Sequence, residues 1–98
     1  MHINDFVHRD IKPENILLDQ PDSFDQIYLG DFGSCTPCKD GQKLSKRVGT
    51  YNYLAPEILE KNYDKKCDIW SVGIMCFILL TGKFPFSGSF YEETLKKI

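Results

Sequence analysis

The stretch His8-Arg9-Asp10-Ile11-Lys12-Pro13-Glu14-Asn15 decides how the rest of this sequence is interpreted. Two further motifs follow it along the chain, Asp31-Phe32-Gly33 and Ala55-Pro56-Glu57. Asp31 supplies a carboxylate and Asn15 an amide carbonyl, and oxygen ligands of this kind are those that Mg²⁺ prefers. Taken singly, Asp10 and Asp31 would be ordinary turn or cap aspartates. Their combination with Asn15 and Lys12 instead favours a functional site.

A β-hairpin is predicted immediately after the first motif. Two short apolar runs, 16–18 and 27–29, flank the segment Asp19-Gln20-Pro21-Asp22-Ser23-Phe24-Asp25-Gln26, which is rich in turn-forming residues. Residues 31–50 then form a polar stretch with several glycines and no periodicity. We expect a long loop there, and long loops inside compact domains are usually functional or disordered.

Three helices are predicted in the second half. Pro56 suits the first position of a short helix over residues 55–60, because its missing N–H would be unpaired there anyway. Residues 68–81 are apolar on nearly every face and should form a helix that must be buried all round in a complete domain, with Gly82 as its C-terminal stop. This sequence offers few elements to surround that helix, so we expect some of its faces to be exposed in residues 1–98 alone. Ser89-Phe90-Tyr91-Glu92 has the S-x-x-E capping pattern. It should open a last helix with Leu95 and Ile98 inward and Lys96 and Lys97 outward.

In their order and spacing, and with the hairpin between the first two, the three motifs resemble H-R-D-x-x-x-x-N, D-F-G and A-P-E of protein kinases. The sequence is identified as a member of the eukaryotic-type serine/threonine protein kinase family. The resemblance implies an α+β fold, specifically a mostly helical, partial C-terminal lobe of a protein-kinase-like fold with a small β-hairpin. Residues 1–98 would run from the catalytic loop through the activation segment to the helix after the central helix, without the nucleotide lobe.

The resemblance also implies a role for each site residue, with ATP and Mg²⁺ as the cofactors. Asp10 would accept or orient the proton of the substrate hydroxyl, and Lys12 would contact the γ-phosphate and mark serine/threonine specificity. Asp31 and Asn15 would hold the two metal ions. The catalytic residues implied are Asp10, Lys12 and Asn15; the nucleotide-binding residues are Lys12, Glu14, Asn15, Leu17 and Asp31, with Leu17 beneath the adenine ring.

Other positions match residues with structural roles in the family. Thr50 would link the substrate-docking loop to the catalytic aspartate, and Asp68 would accept hydrogen bonds from the catalytic-loop backbone. His8 and Phe32 would belong to an internal hydrophobic stack. In the family, the arginine at the position of Arg9 often pairs with a phosphorylated activation-loop residue. Ser45 lies near the usual position, although an exposed loop serine is the alternative, and the basic Lys46 and Arg47 that follow it are consistent with no phosphate being required.

The run from Asp68 to Phe86 resembles most the calcium/calmodulin-dependent and calcium-dependent kinases. This resemblance implies a calcium sensor as a regulatory partner. Protein substrates are implied, and Glu14 suggests a preference for a basic residue upstream of the phosphorylated position. The sequence has no G-x-G-x-x-G loop and no V-A-I-K lysine. We therefore expect the missing N-terminal lobe to be a partner of this segment, and residues 1–98 alone to be inactive and poorly soluble. The alternative is a non-catalytic, kinase-derived binding module.

Composition narrows the remaining possibilities. A net charge of −2 does not indicate a nucleic-acid surface, and the apolar run 69–80 is far short of the ~20 residues that span a bilayer. Without a signal-peptide pattern, the four cysteines indicate reduced thiols and a cytoplasmic or nuclear location. Cys35-Thr36-Pro37-Cys38 lacks the two further ligands that a zinc site needs, so two loop thiols are the favoured interpretation.

Overall fold

The structure is a computed structural model that describes residues 1–88 and 91–98. Its elements confirm an α+β fold of small antiparallel sheets and helices. In chain order they are β1 (Phe6–Val7), β2 (Ile16–Leu18), β3 (Ile27–Leu29), β4 (Thr36–Pro37), α1 (Pro56–Leu59), α2 (Lys66–Thr81) and α3 (Tyr91–Lys97), with single 3₁₀ turns at His2–Asn4, Pro13–Asn15 and Tyr51–Tyr53.

The predicted hairpin is confirmed. Strands β2 and β3 pair antiparallel, with Ile16 opposite Leu29 and Leu18 opposite Ile27. A hydrogen bond from the Asp19 N–H to the Gln26 carbonyl closes the connection at 3.1 Å. Because Asn15 precedes β2 and Gly30 follows β3, the pairing brings the end of the first motif beside the start of the second.

The long loop predicted over residues 31–50 contains a short strand and an isolated bridge between Leu44 and Tyr63. Strand β4 pairs with β1, with Phe6 opposite Pro37 and Val7 opposite Thr36. The Cys38 N–H extends the pairing by donating to the Asp5 carbonyl at 2.7 Å. Each strand has only two residues, which is too short to show an alternating pattern in the sequence. Residues 39–50 otherwise form the expected irregular segment.

The helices begin and end close to the predicted positions. Pro56 occupies the first position of α1, as expected. Helix α2 begins at Lys66, two residues before the predicted start at Asp68, and ends at Thr81. Gly82 caps it in the left-handed region at φ 71°, with its N–H donating to the Ile78 carbonyl at 2.8 Å. This is the stop that a glycine permits.

The expected exposure of part of α2 is confirmed for the described residues. Only Cys67, Asp68, Ser71 and Ile74 are buried, while Ile69 is 63% exposed and Leu80 is 86% exposed. The described elements cover one face of the helix. Among residues 1–88 and 91–98, no element covers its other apolar faces. Large exposed apolar surfaces of this kind mark interaction sites.

Helix α3 shows the predicted orientation. Leu95 and Ile98 are half-buried, and Lys96 and Lys97 are exposed. Thr94, which the sequence did not single out, is buried and accepts a hydrogen bond on Oγ1 from the Gly88 N–H at 2.9 Å. The predicted cap at Ser89 lies outside the described residues.

The core lies beneath the first motif, where β1, β4, α1 and the start of α2 meet. Its buried members are Val7, Cys38, Leu54, Ala55, Ile58, Tyr63 and Cys67. Burial raises the pKa of the Cys67 thiol to about 12, which keeps it protonated and inert. The described part of the chain contains no helix with the length and apolar character to cross a membrane.

Candidate functional site

Asp10 is held by Thr50, which lies 40 positions further along the chain. The Asp10 carboxylate oxygen Oδ1 accepts hydrogen bonds from the Thr50 backbone N–H at 3.0 Å and from the Thr50 hydroxyl at 2.7 Å. Both donors come from the start of the Tyr51–Tyr53 turn. Two donors on one oxygen fix the carboxylate plane and leave Oδ2 as the oxygen that can act on another group.

Lys12 completes a triangle with these two residues. Its ammonium donates to the Thr50 hydroxyl oxygen at 2.8 Å and lies 3.4 Å from Asp10 Oδ2. Burial alone would raise the pKa of Asp10, but the hydrogen bonds from Thr50 and the charge and hydrogen bond of Lys12 lower it below its ordinary value. Asp10 is therefore ionised at neutral pH and lies beside a fixed positive charge.

The first and second motifs meet at the open end of the hairpin. Asn15 is buried, and its side-chain Nδ2 donates to the Asp10 carbonyl at 2.8 Å. Its own carbonyl accepts from the Gly30 N–H at 2.8 Å. Since the donor end of the amide is used inside the loop, its oxygen end is the part that can bind a metal. Asp31 follows directly after Gly30.

Asp31 has a backbone that few residues adopt without support. Its φ is 52°, in the left-handed region that aspartate tolerates better than most residues. Its Oδ1 accepts a hydrogen bond from the Gly33 N–H at 3.2 Å, and the residue is exposed. A carboxylate and an amide oxygen at one end of a hairpin fit Mg²⁺, which binds through few protein oxygens and retains water ligands.

Asp68 ties the first motif to helix α2. Its carboxylate is 1% exposed and accepts from the backbone N–H groups of His8 at 2.9 Å and Arg9 at 2.8 Å, as the sequence predicted. The His2 ring also donates from Nε2 at 2.7 Å. The sequence did not indicate this third contact, because nothing local links residues 66 positions apart. Arg9 has φ 70°, a conformation that these contacts stabilise.

His8 is buried and bonded on both ring nitrogens. Its Nε2 donates to the Gly30 carbonyl at 2.9 Å, and its Nδ1 accepts from the Asp10 N–H at 3.2 Å. These partners assign the proton to Nε2. The ring packs edge-on against Phe32 with centroids 5.7 Å apart, the packing role that the sequence predicted. His8 thus connects Asp10 to the strand end that carries Asp31.

Leu17 and Glu14 lie at the periphery of the site. Leu17 sits on β2 opposite Tyr28 and is 54% exposed, so its apolar surface is open to a flat ligand. Glu14 is exposed. Burial and then the charge of Glu14 raise the pKa of Tyr53.

Arg9 engages unmodified groups of residues 31–50 and of the segment after α1. Its Nε donates to the Ser34 carbonyl at 2.6 Å, and its Nη1 donates to the Tyr63 hydroxyl at 3.1 Å. Ser45, which the sequence suggested as a modification site, is exposed. No local feature of the sequence indicates Tyr63, because this contact joins residues 54 positions apart.

The cysteines are all unpaired. Cys38 is fully buried in the core, with its thiol 3.7 Å from the Gln42 carbonyl, while Cys35 is half-buried. Among the described residues, no group of three or more His, Cys, Asp or Glu side chains is arranged to hold a metal ion. Cys38 packs as a small apolar side chain.

Comparison with known proteins identifies the class to which this geometry belongs. A family model described as "Protein kinase domain" matches residues 1–98. The chain therefore belongs to the protein kinase domain family.

The similar proteins are calcium-dependent protein kinases, the group that the sequence predicted. The chain is 48% identical over 99 residues to calcium-dependent protein kinase 4 of Plasmodium falciparum (isolate 3D7), matching 100% of this chain and 19% of that protein. It is 45% identical over 97 residues to calcium-dependent protein kinase 5 of Plasmodium berghei (strain Anka), matching 99% of this chain and 17% of that protein. The chain thus spans less than a fifth of the length of either relative.

The Thr50 hydroxyl provides a test of the Asp10 environment. In the full-length protein, Thr50→Val removes the hydroxyl donor and should raise the Asp10 pKa toward its unperturbed value, whereas Thr50→Ser should retain the low value. A lowered folded-state pKa contributes stability above the unfolded pKa of about 3.9 that is lost as pH falls through the folded value. The valine variant should therefore begin to lose stability at a higher pH. Carboxyl NMR titration of Asp10 measures the shift; equal titration curves for both variants would contradict this reading.

Gly49 provides a test of close packing in the segment before Thr50. Its φ is 110°, and a Cβ added there would lie 2.5 Å from the Arg9 carbonyl oxygen. Gly41 also has positive φ, 81°, but a Cβ there would have no neighbour within 4 Å. We expect Gly49→Ala to destabilise the full-length protein clearly more than Gly41→Ala, because only the first adds a clash to about 1–2 kcal/mol of backbone strain. Urea unfolding measures the difference, and equal costs would show that the segment can shift freely away from Arg9.

Proposed function

We propose that residues 1–98 carry the catalytic loop and the metal-binding motif of an ATP-dependent protein serine/threonine kinase. The observation that carries this proposal is the triangle of Asp10, Lys12 and Thr50, in which an ionised carboxylate and an ammonium are fixed by one shared hydroxyl. Phosphoryl transfer requires this kind of positioning and charge stabilisation, with little covalent work by the protein.

Each group has a distinct task in the proposed reaction. Asp10 Oδ2 is the oxygen not held by Thr50. It accepts the proton of the substrate serine or threonine hydroxyl as the hydroxyl oxygen attacks the γ-phosphorus of ATP. The bond from that phosphorus to the β,γ-bridging oxygen breaks, and ADP leaves. Lys12 stabilises the negative charge on the transferred group. Thr50 keeps both side chains in place because it donates to one and accepts from the other.

Asp31 and Asn15 are the proposed Mg²⁺ ligands, and Leu17 the contact beneath the adenine. Mg²⁺ neutralises charge on the β- and γ-phosphates when it is bound. The hairpin supports this assignment, because the Gly30–Asn15 hydrogen bond at 2.8 Å ties together the chain segments that carry the two ligands. Glu14 belongs to the same proposed nucleotide site in our sequence prediction. Its exposed carboxylate is consistent with its other proposed task, contact with a basic residue of the protein substrate.

We propose that residues 1–98 are part of a kinase C-terminal lobe, whose function requires a nucleotide lobe from elsewhere in the protein. Two observations support this. The sequence contains no G-x-G-x-x-G loop, and α2 presents apolar side chains such as Leu80 to solvent. The names of the similar proteins suggest control of the whole protein by a calcium sensor. We also propose a cytoplasmic or nuclear location, with no nucleic-acid or membrane partner.

Residues 1–98 expressed alone should be poorly soluble and show no measurable transfer of phosphate from ATP. Because residues 1–98 contain no G-x-G-x-x-G loop to cover the nucleotide phosphates, positioning would be largely lost, and the exposed face of α2 favours aggregation. Light scattering and a phosphotransfer assay measure the two properties. A soluble, monomeric and active 98-residue protein would contradict the proposal of a partial lobe.

The second candidate is a non-catalytic binding module derived from a kinase. The exposed apolar face of α2, including Ile69 and Leu80, is the observation that favours it, because it could receive a partner protein. The experiment that separates the two gives the full-length protein Mg²⁺-ATP and three peptides that differ only in carrying serine, threonine or tyrosine. The kinase proposal expects phosphate on serine and threonine. Phosphotyrosine would refute the specificity, and no phosphorylated product would favour the binding module.

A further inference from the structure

Tyr63 is a buried residue that none of the motifs and none of the proposed catalytic steps uses. It follows α1 and is 1% exposed, among the core residues. Its hydroxyl accepts a hydrogen bond from Arg9 Nη1 at 3.1 Å and donates one to the Lys46 carbonyl. One neutral hydroxyl thus bridges the first motif and the segment that leads to Thr50.

The main chain of Tyr63 also forms hydrogen bonds with the segment that leads to Thr50. Its N–H donates to the Leu44 carbonyl at 3.1 Å, and its carbonyl accepts from the Leu44 N–H at 2.7 Å. The backbone therefore fixes residue 44 and the side chain fixes residue 46. Only three residues separate Lys46 from Thr50, so a constraint at Lys46 limits where Thr50 can lie.

Arg9 anchors the other end of this bridge. Its backbone N–H is held by buried Asp68 at 2.8 Å, and its Nε donates to the Ser34 carbonyl at 2.6 Å. The Arg9 carbonyl also lies against Gly49, where no side chain would fit. Arg9 is therefore held at several points, and the Tyr63 hydroxyl joins it to the segment that leads to Thr50.

We propose that Tyr63 is a positioning residue, whose hydroxyl holds residues 44–50 against Arg9 so that Thr50 reaches Asp10. The structural part of this inference stands without any enzymatic activity. Its kinetic consequence, on use of the protein substrate, rests on the proposed function. The bridge between Arg9 and Lys46 is made by the Tyr63 hydroxyl and requires no modified residue.

The test compares Tyr63→Phe with Tyr28→Phe in the full-length protein. Phenylalanine keeps the ring that packs in the core and removes only the bridging oxygen. Tyr28 is a half-exposed tyrosine on β3 and serves as the matched control. Amide hydrogen exchange of residues 45–50 is measured first, because local opening of a segment is read directly in its exchange rates.

Tyr63→Phe should speed exchange in residues 45–50 by about tenfold, since hydrogen bonds to charged groups have effects of this order, and leave α2 unchanged. It should also raise KM for the protein substrate several-fold and leave KM for ATP unchanged. A variant that exchanges like Tyr28→Phe, or that opens uniformly through α2, overturns the inference. The inference is also overturned if an active Tyr63→Phe protein shows faster local exchange but an unaltered KM for the protein substrate.

The two proposals can fail separately. If the wild-type protein transfers no phosphate, the proposed function falls and the exchange measurement decides the inference on its own. Faster exchange confined to residues 45–50 in Tyr63→Phe then supports it, and exchange equal to the control overturns it.

Discussion

Replacing Asp10 with asparagine in the full-length protein should lower kcat for phosphate transfer by roughly 10²–10⁴-fold, the contribution typical of a positioned general base. Asparagine has nearly the same size, and its carbonyl oxygen can still accept from the Thr50 N–H and hydroxyl. The variant should therefore remain folded and bind ATP with little change in KM. What it loses is the ionised oxygen that we propose as acceptor of the hydroxyl proton, together with the negative partner of Lys12.

Steady-state kinetics with a serine peptide measure this effect. The matched control is Asp25→Asn, a substitution in the exposed connection between β2 and β3 where Asp25 contacts only its neighbour Ser23 in the described hydrogen bonds. We expect the control to have wild-type kcat. If Asp10→Asn and Asp25→Asn have the same kcat, then Asp10 is not the proton acceptor and its contacts with Thr50 serve structure alone.

Replacing Asp68 with asparagine should lower the free energy of unfolding by about 3 kcal/mol, the scale for breaking a buried, charged hydrogen-bond network. The buried carboxylate accepts from two backbone N–H groups and the His2 ring. An amide has one acceptor oxygen, so it must direct an NH₂ group toward one of these donors. The backbone of Arg9 would lose support for its left-handed conformation.

Asp40→Asn is the matched control for this prediction. Asp40 also accepts from a basic side chain, Lys65, at 2.7 Å, but it is 93% exposed. Water and ions screen such a pair, so its loss should cost clearly less than the loss of the buried Asp68 carboxylate. Denaturant unfolding of both variants gives the comparison. Equal costs would mean that Asp68 is not the anchor between α2 and the catalytic loop.

The local features of this fold could be predicted from the sequence because their signals are local. The hairpin has two apolar runs and a turn-rich connection, α1 has proline at its first position, and α2 has glycine after its last. The three motifs predicted the catalytic residues by resemblance, and their assignment remains a proposal. The link between Thr50 and Asp10 was likewise expected only from the resemblance, since no spacing rule connects residues 10 and 50, and the contact of Lys12 with Thr50 was not predicted.

The features that the sequence missed depend on contacts between distant segments. The pairing of β1 with β4 uses two residues on each side, too few to set up a periodic pattern. The contacts of His2 with Asp68 and of Tyr63 with Arg9 depend on tertiary packing that a single sequence does not display. The exposure of α2 could be predicted only in general terms. Its apolar composition indicates how many surfaces it can cover, but it does not show which elements of this chain cover them.

The most direct test of the account is single-turnover transfer of the γ-phosphate from Mg²⁺-ATP to a serine peptide by the full-length protein, with Asp31→Asn compared with Asp19→Asn. Asp31 is the proposed metal ligand, whereas Asp19 lies in the exposed connection of the hairpin. We predict that the wild type and Asp19→Asn transfer phosphate at the same rate and that Asp31→Asn, although folded, loses Mg²⁺-dependent transfer. Transfer by Asp31→Asn at the wild-type rate would contradict the assignment of this site.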